Sequence, residues 1–264
     1  MRELGPEGAT PIVLLHGGPA AHCDYLLPAF ARLADQYRLV LYDQRGGGRS
    51  TVEAGVPLGF EAHLGDLDEL MADVGARHLC GYSFGGLIAA IFAARNPERV
   101  ERLAIVSGAP AWHGYRAALD AALAAAQKSP WVSDERAALE RSEMRETMTD
   151  EYRRRRFALS IAGYLADPRL CYGLTPFKVQ AKAAEALYAD LGAYDLRHEL
   201  SGLPGDRTLL IHGESDPIAI SHAEETARLG AARLERLPGC GHVPYLEAPE
   251  AFFSILRAFM GERR

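Results

Sequence analysis

The segment Gly81-Tyr82-Ser83-Phe84-Gly85-Gly86 sets a serine between glycines, after the short run Arg77-His78-Leu79-Cys80 and before the apolar stretch Leu87–Ala94. Strand, tight turn and helix in that order make a nucleophile elbow, in which the turn holds the serine in a strained backbone and side chains on the glycines would strike neighbouring main chain. A serine hydroxyl is a weak nucleophile at neutral pH, so a general base and a carboxylate to orient it must follow. The order expected after such an elbow is an acid and then a histidine. Asp216 lies in His212-Gly213-Glu214-Ser215-Asp216-Pro217, just beyond the strand-like Thr208–Ile211, and His242 lies on the glycine-rich loop Pro238–Pro244. This predicts Ser83, His242 and Asp216 as nucleophile, base and orienting acid. Glu214, nearer the strand end, is the alternative acid, and Cys240 reads as a packing residue. Acyl transfer also needs two backbone N–H donors for the developing oxyanion. Phe84, directly after the serine, supplies one; Gly18, in His16-Gly17-Gly18-Pro19 after the run Ile12–Leu15, supplies the other.

Holding these residues together requires a sheet. Apolar runs at 12–15, 39–42, 77–80, 103–106 and 209–211, with a further strand-like segment at 233–237, alternate with helical spacing at 24–35, 60–73, 84–95, 221–229 and 249–262. Runs apolar on both sides are those of strands buried on both faces of a parallel sheet, so the expected class is α/β, with a mostly parallel central sheet flanked by helices. Residues 111–195 break the rhythm: they are alanine-rich, mixed in charge and helical in pattern. They read as a helical cap inserted into a core of residues 1–110 and 196–264. Within the insertion, Arg153–Arg156 reads as a solvated helix face paired with Asp150, Glu151 and Asp167.

Composition narrows the partners. The 264 residues are 48% hydrophobic and 24% charged with a formal net charge of −6, the profile of a folded, water-soluble chain with no bias toward nucleic acid. No apolar stretch is long enough for a membrane span and the start lacks a signal-peptide core, which predicts a cytoplasmic protein. Cys23, Cys80, Cys171 and Cys240 are far apart in the sequence and read as inert thiols. No motif calls for a metal or cofactor. The expected partner is a small-molecule or short-peptide substrate, on a monomer or homodimer.

Taken together, His16-Gly17-Gly18-Pro19, Asp43-Gln44-Arg45-Gly46-Gly47-Gly48-Arg49-Ser50, the serine elbow, Gly213-Glu214-Ser215-Asp216 and Gly241-His242-Val243-Pro244-Tyr245-Leu246-Glu247-Ala248-Pro249 resemble the α/β-hydrolase-fold serine hydrolases. Within them the chain is most similar to proline iminopeptidase-like enzymes. The resemblance covers residues 11–110 and 200–262 and implies the α/β-hydrolase fold with a helical cap over the active site. The sequence departs from it at a shortened N-terminal edge, at Ala20 where those enzymes carry glycine, and at Pro217. An aminopeptidase also needs a cap carboxylate for the substrate's ammonium; Glu140, Glu143, Glu146 and Glu151 are candidates, all equally readable as solvent-facing. Asp43 and Arg45 read as turn and salt-bridge residues. Tyr82, Phe84, Trp112, Trp131 and Tyr245 are candidate pocket-lining residues. The activity implied is iminopeptidase-like aminopeptidase; the alternatives are a carboxylesterase or lactonase, a carbon–carbon bond hydrolase, or a catalytically silent binding protein.

Overall fold

The computed structural model describes residues 1–53 and 55–262. Its strands are β1 (Arg2–Leu4), β2 (Pro11–Leu15), β3 (Arg38–Leu41), β4 (His78–Tyr82), β5 (Arg102–Val106), β6 (Thr208–Gly213) and β7 (Arg233–Leu237). They form one sheet in the order β1-β3-β2-β4-β5-β6-β7. All neighbours run parallel except β1, which pairs antiparallel with β3, Arg2 opposite Leu41. The six expected runs become β2 to β7. β1 was not legible, because three residues with an exposed Arg2 and Glu3 carry no apolar signal.

Alternation along the strands sends side chains to two cores. Ile12, Leu14, Leu39, Leu41 and Ile211 pack on one face with α1 (Leu27–Phe30) and α11 (Pro249–Gly261). Val13, Leu15, Val40, Leu79 and Leu210 pack on the other with α2 (Phe60–Val74), α3 (Phe84–Arg95) and α9 (Ile220–Leu229). α3 is buried from Phe84 to Ala93, which explains why its sequence is apolar all round. The helix expected over 24–35 is broken into α1 between the 3₁₀ turns Cys23–Tyr25 and Ala31–Leu33. Pro28 accounts for the break, since it lacks an N–H and is tolerated only in a helix's first turn.

After β5 the chain leaves the sheet. Trp112 and Asp195 face each other in an isolated antiparallel bridge, and between them lie α4 (Arg116–Ala126), α5 (Pro130–Arg141), α6 (Met144–Thr147), α7 (Thr149–Ile161) and α8 (Ala181–Leu191). This insertion is tied to α2 by a polar contact. Asp190 of α8 accepts the Phe60 N–H at 2.8 Å and so satisfies a free donor at the start of α2. The return to the sheet leads through β6 to α9, and the His242 loop joins β7 to α10 (Pro244–Glu247) and α11.

Candidate active site

Ser83 sits between β4 and α3 with φ 52° and ψ −118°, a strained conformation for a residue with a side chain. The glycines around it are required by close approach: a Cβ on Gly81 would lie 2.4 Å from the Gly85 carbonyl oxygen, and one on Gly85 would lie 2.5 Å from that of Leu15. Two hydrogen bonds fix the elbow against the neighbouring strand, from the Ser83 N–H to the Val106 carbonyl and from the Ala109 N–H to the Ser83 carbonyl, both 2.9 Å.

The three residues read from the sequence meet at the carboxyl edge of the sheet. His242 Nε2 lies 3.0 Å from Ser83 Oγ, and His242 Nδ1 lies 2.8 Å from Asp216 Oδ2. A carboxylate only accepts, so the neutral imidazole carries its proton on Nδ1 and leaves Nε2 free to accept from the serine hydroxyl. Asp216 is buried; its Oδ1 accepts the Ile218 N–H at 2.8 Å, and its Oδ2 lies 3.5 Å from His212 Nε2. That nitrogen of His212 is 2.8 Å from the Ile218 carbonyl, and burial lowers the pKa of His212. A neutral His212 therefore braces the turn that carries Asp216. Glu214 is exposed, and the carboxylate bound to His242 is that of Asp216.

The loop after β2 is held from below. Tyr25 Oη accepts the Gly17 N–H at 2.8 Å and donates to the Gly17 carbonyl at 3.1 Å. Pro19 has no N–H, so Gly18, at φ 71°, carries the loop's remaining backbone donor beside Ser83. Phe84 is the first residue of α3, where a backbone N–H has no acceptor within the helix. His16 is buried beneath: its Nε2 accepts the Gln44 N–H at 3.1 Å, and Gln44 Nε2 donates to the His16 carbonyl at 2.7 Å.

Ser83 and His242 open into a cavity of about 370 Å³ between sheet and insertion. Of the expected lining residues, Tyr82, Phe84 and Tyr245 form part of its wall, together with Gly18. Trp112 and Trp131 do not. Trp112 is engaged at the base of the insertion, in the bridge to Asp195 with the Arg197 guanidinium stacked on it at 5.0 Å, and Trp131 packs against Tyr172. Helical spacing does not tell which face of α5 meets the cavity, and Trp112, ahead of the helices, is held away from it by the bridge to Asp195. Residues that no motif marked complete the wall, among them Tyr25, Tyr115, Arg116, Tyr164, Phe177 and Tyr188. Tyr164 and Tyr82 flank the His242 ring, with centroids 5.2 and 5.3 Å away.

Other sequence features fall outside the cavity. Asp43 accepts the N–H groups of Cys23 and Arg49 at 2.8 and 2.9 Å. Burial works against its charge, but these bonds and the Arg49 guanidinium outweigh it and hold the carboxyl well below its usual range. Arg45 pairs with Asp66. Arg154 and Arg155 both bind Glu151, and Arg153 approaches Asp150, while Asp167 binds Arg169 instead of the arginine run. The four cysteines are buried free thiols, and burial raises Cys80 and Cys240 to about 12. No group of three or more metal-ligating side chains is placed to hold an ion, and no helix is long and apolar enough to cross a membrane, among the described residues.

Comparison with known proteins bears on the fold. A pimeloyl-[acyl-carrier protein] methyl ester esterase of Nitrosospira multiformis is 30% identical over 271 residues, covering 97% of this chain and 94% of that one. A proline iminopeptidase of Xylella fastidiosa is 34% identical, but over 106 residues, 39% of this chain and 34% of the other. Some curated relatives are thus matched over only about a third of their length. Among solved structures, the enol-lactonase of Burkholderia xenovorans LB400 superposes with a TM-score of 0.65 at 26% identity, covering 99% of this chain and 95% of that one. Residues 10–249 match the alpha/beta hydrolase fold family. With the sheet order, the strained serine elbow and this match, the chain belongs to the α/β-hydrolase fold family.

Proposed function

We propose that this chain is a serine hydrolase that cleaves a small carboxylic ester or lactone through an acyl-enzyme on Ser83. The observation that carries the reading is the run of short contacts from Asp216 through His242 to Ser83, at 2.8 and 3.0 Å, on the floor of a largely apolar cavity. Ser83 Oγ attacks the substrate carbonyl carbon as His242 Nε2 takes its proton. Asp216 stabilises the resulting imidazolium, and the Gly18 and Phe84 N–H groups bind the oxyanion. The carbon–oxygen bond of the leaving group then breaks, with His242 returning the proton to the departing alkoxide. A water molecule repeats the sequence on the acyl-enzyme, releasing the acid and restoring Ser83.

An ester is favoured over an N-terminal amide by the chemistry of the wall. An aminopeptidase must pair the substrate ammonium with a carboxylate, because an unpaired buried charge is costly. Glu140 instead accepts from the Tyr152 hydroxyl, Glu151 binds two arginines, and Glu143 and Glu146 are exposed outside the cavity. The methyl ester esterase and enol-lactonase relatives support the same choice over nearly their whole length. An iminopeptidase-like activity is the second reading. It draws on the shared motifs and on Asp120, a carboxylate in the cavity wall.

Parallel kinetics on a short-chain p-nitrophenyl ester and a proline arylamide, with Ser83→Ala as control, test the choice. Turnover of the ester, lost in Ser83→Ala, supports the first reading; preference for the arylamide replaces it with the second. Absence of Ser83-dependent labelling by a fluorophosphonate would assign the fold to binding without catalysis.

A further inference from the structure

Outside Ser83 and His242 the cavity wall carries two charged side chains, Arg116 and Asp120, one turn apart on α4. Arg116 is half-buried, with its guanidinium 4.4 Å over the ring of Tyr188, and Tyr188 in turn packs on Phe84 with centroids 6.0 Å apart. One aromatic ring therefore separates this cation from the residue next to the nucleophile. Several arginines of the insertion are neutralised in place: Arg154 and Arg155 share Glu151 at 2.7 Å, and Arg169 binds Asp167 at 2.8 Å. Arg116 has no carboxylate within 4.0 Å among the described residues; Asp120 is exposed and attracts it only through space. Stacking on Tyr188 and interaction with the neutral side chains of Tyr188 and Tyr115 fix the guanidinium without supplying an opposite charge. A small-molecule site that is mostly apolar uses its few polar groups to orient the ligand.

We infer that the substrate bears a carboxylate a few carbons from the scissile ester or lactone, and that Arg116 binds it. The inference rests on the ester-hydrolase reading and names the substrate class of the same site. A single planar guanidinium matches one carboxylate through two parallel hydrogen bonds, whereas a doubly charged phosphate would be left half-neutralised. Tyr115 and Tyr188, beside Arg116, exclude water from the contact and strengthen it. Charge at the far end of the substrate would also fix which carbonyl group reaches Ser83.

Monomethyl adipate and dimethyl adipate differ by one charge at nearly equal length. Their binding to Ser83→Ala, read by titration calorimetry, needs no turnover. The expected result is that the monoester binds about 10-fold or more tightly than the diester, the size of one charge-assisted contact. That ratio falls to near one when Arg116→Met is added, and Arg116→Lys restores part of it. Equal affinities for the two esters, or a preference that survives Arg116→Met, would overturn the assignment. Turnover of both esters by the unmutated enzyme separates the two levels of argument. A charge preference in binding without hydrolysis would leave the Arg116 subsite standing and sink the hydrolase reading; hydrolysis without a charge preference would do the reverse.

Discussion

The carboxylate of Glu247 clasps the loop that carries His242. Glu247 accepts the Gly241 N–H at 2.9 Å and the Val243 N–H at 3.0 Å, the two donors on either side of the histidine. The same carboxylate accepts the Ala166 N–H at 2.8 Å, and the His242 N–H donates to the Tyr164 carbonyl at 2.8 Å. One side chain from α10 thus joins the His242 loop to the helical insertion that roofs the cavity. The position of the imidazole is set jointly by both parts of the molecule.

Replacing Glu247 by alanine leaves three backbone donors without their acceptor. An unmatched donor costs about 1–3 kcal/mol. Glu247→Ala should therefore lower Tm by several degrees and kcat by about 10-fold or more, with KM altered less because the carboxylate does not line the cavity. Thermal melts and steady-state kinetics on a p-nitrophenyl ester check both; unchanged kcat with a lowered Tm would make the clasp purely structural.

Ser83→Ala and His242→Ala should each reduce kcat by roughly 10⁴-fold or more, and Asp216→Asn by somewhat less. Glu214→Gln should remain close to the parent, since Glu214 is exposed and Asp216 holds the 2.8 Å contact to the imidazole. Near-full activity in Asp216→Asn together with loss in Glu214→Gln would reverse the assignment of the acid.

Tyr25 tests the oxyanion loop. Its hydroxyl accepts the Gly17 N–H and donates to the Gly17 carbonyl, which belongs to the same peptide unit as the Gly18 N–H. Tyr25→Phe keeps the ring, and with it the wall of the cavity, while releasing that peptide. The expected outcome is a fall in kcat of about 10-fold with little change in KM, as for a loss felt in the transition state. An equal rise in KM at constant kcat would instead place Tyr25 in ground-state binding.

Acid should weaken the fold through its buried histidines. Burial pushes His16 down to about 4 from an ordinary 6.5, and lowers His63 and His212 in the same direction. Between these values the unfolded chain takes up a proton that the folded one refuses, so the stability held above pH 6.5 declines as the pH falls toward 4. For His16 alone the loss at the acid end is about 3 kcal/mol. Tm measured from neutral to acid pH should fall, and fall less steeply in His16→Asn. Because His16 accepts the Gln44 N–H beneath the Gly17–Gly18 turn, activity should decline along the same slope.

What depends on short-range geometry was already readable in the chain. Gly81 and Gly85 specify the elbow around Ser83 because a Cβ at either would lie 2.4 to 2.5 Å from a neighbouring carbonyl oxygen. The parallel sheet was legible in its doubly buried runs, and the places of Asp216 and His242 followed from the strands that precede them. Tertiary structure decided the rest. Trp131, Glu140, Glu146 and Glu151 lie on helices whose pattern shows only that one face is buried, Trp112 and Glu143 lie on segments outside them, and which side chains meet the cavity depends on how α4 to α8 pack. Arg116, Tyr164 and Tyr188 carry no motif, so their convergence over Ser83 appears only once the insertion folds back onto the sheet. Glu247 could be read as part of a run near His242, but its role as a clasp exists only because Ala166, 81 positions earlier in the chain, is brought within 2.8 Å of it. Contacts between segments so far apart leave no local periodicity, and these are the contacts that shape the substrate's surroundings.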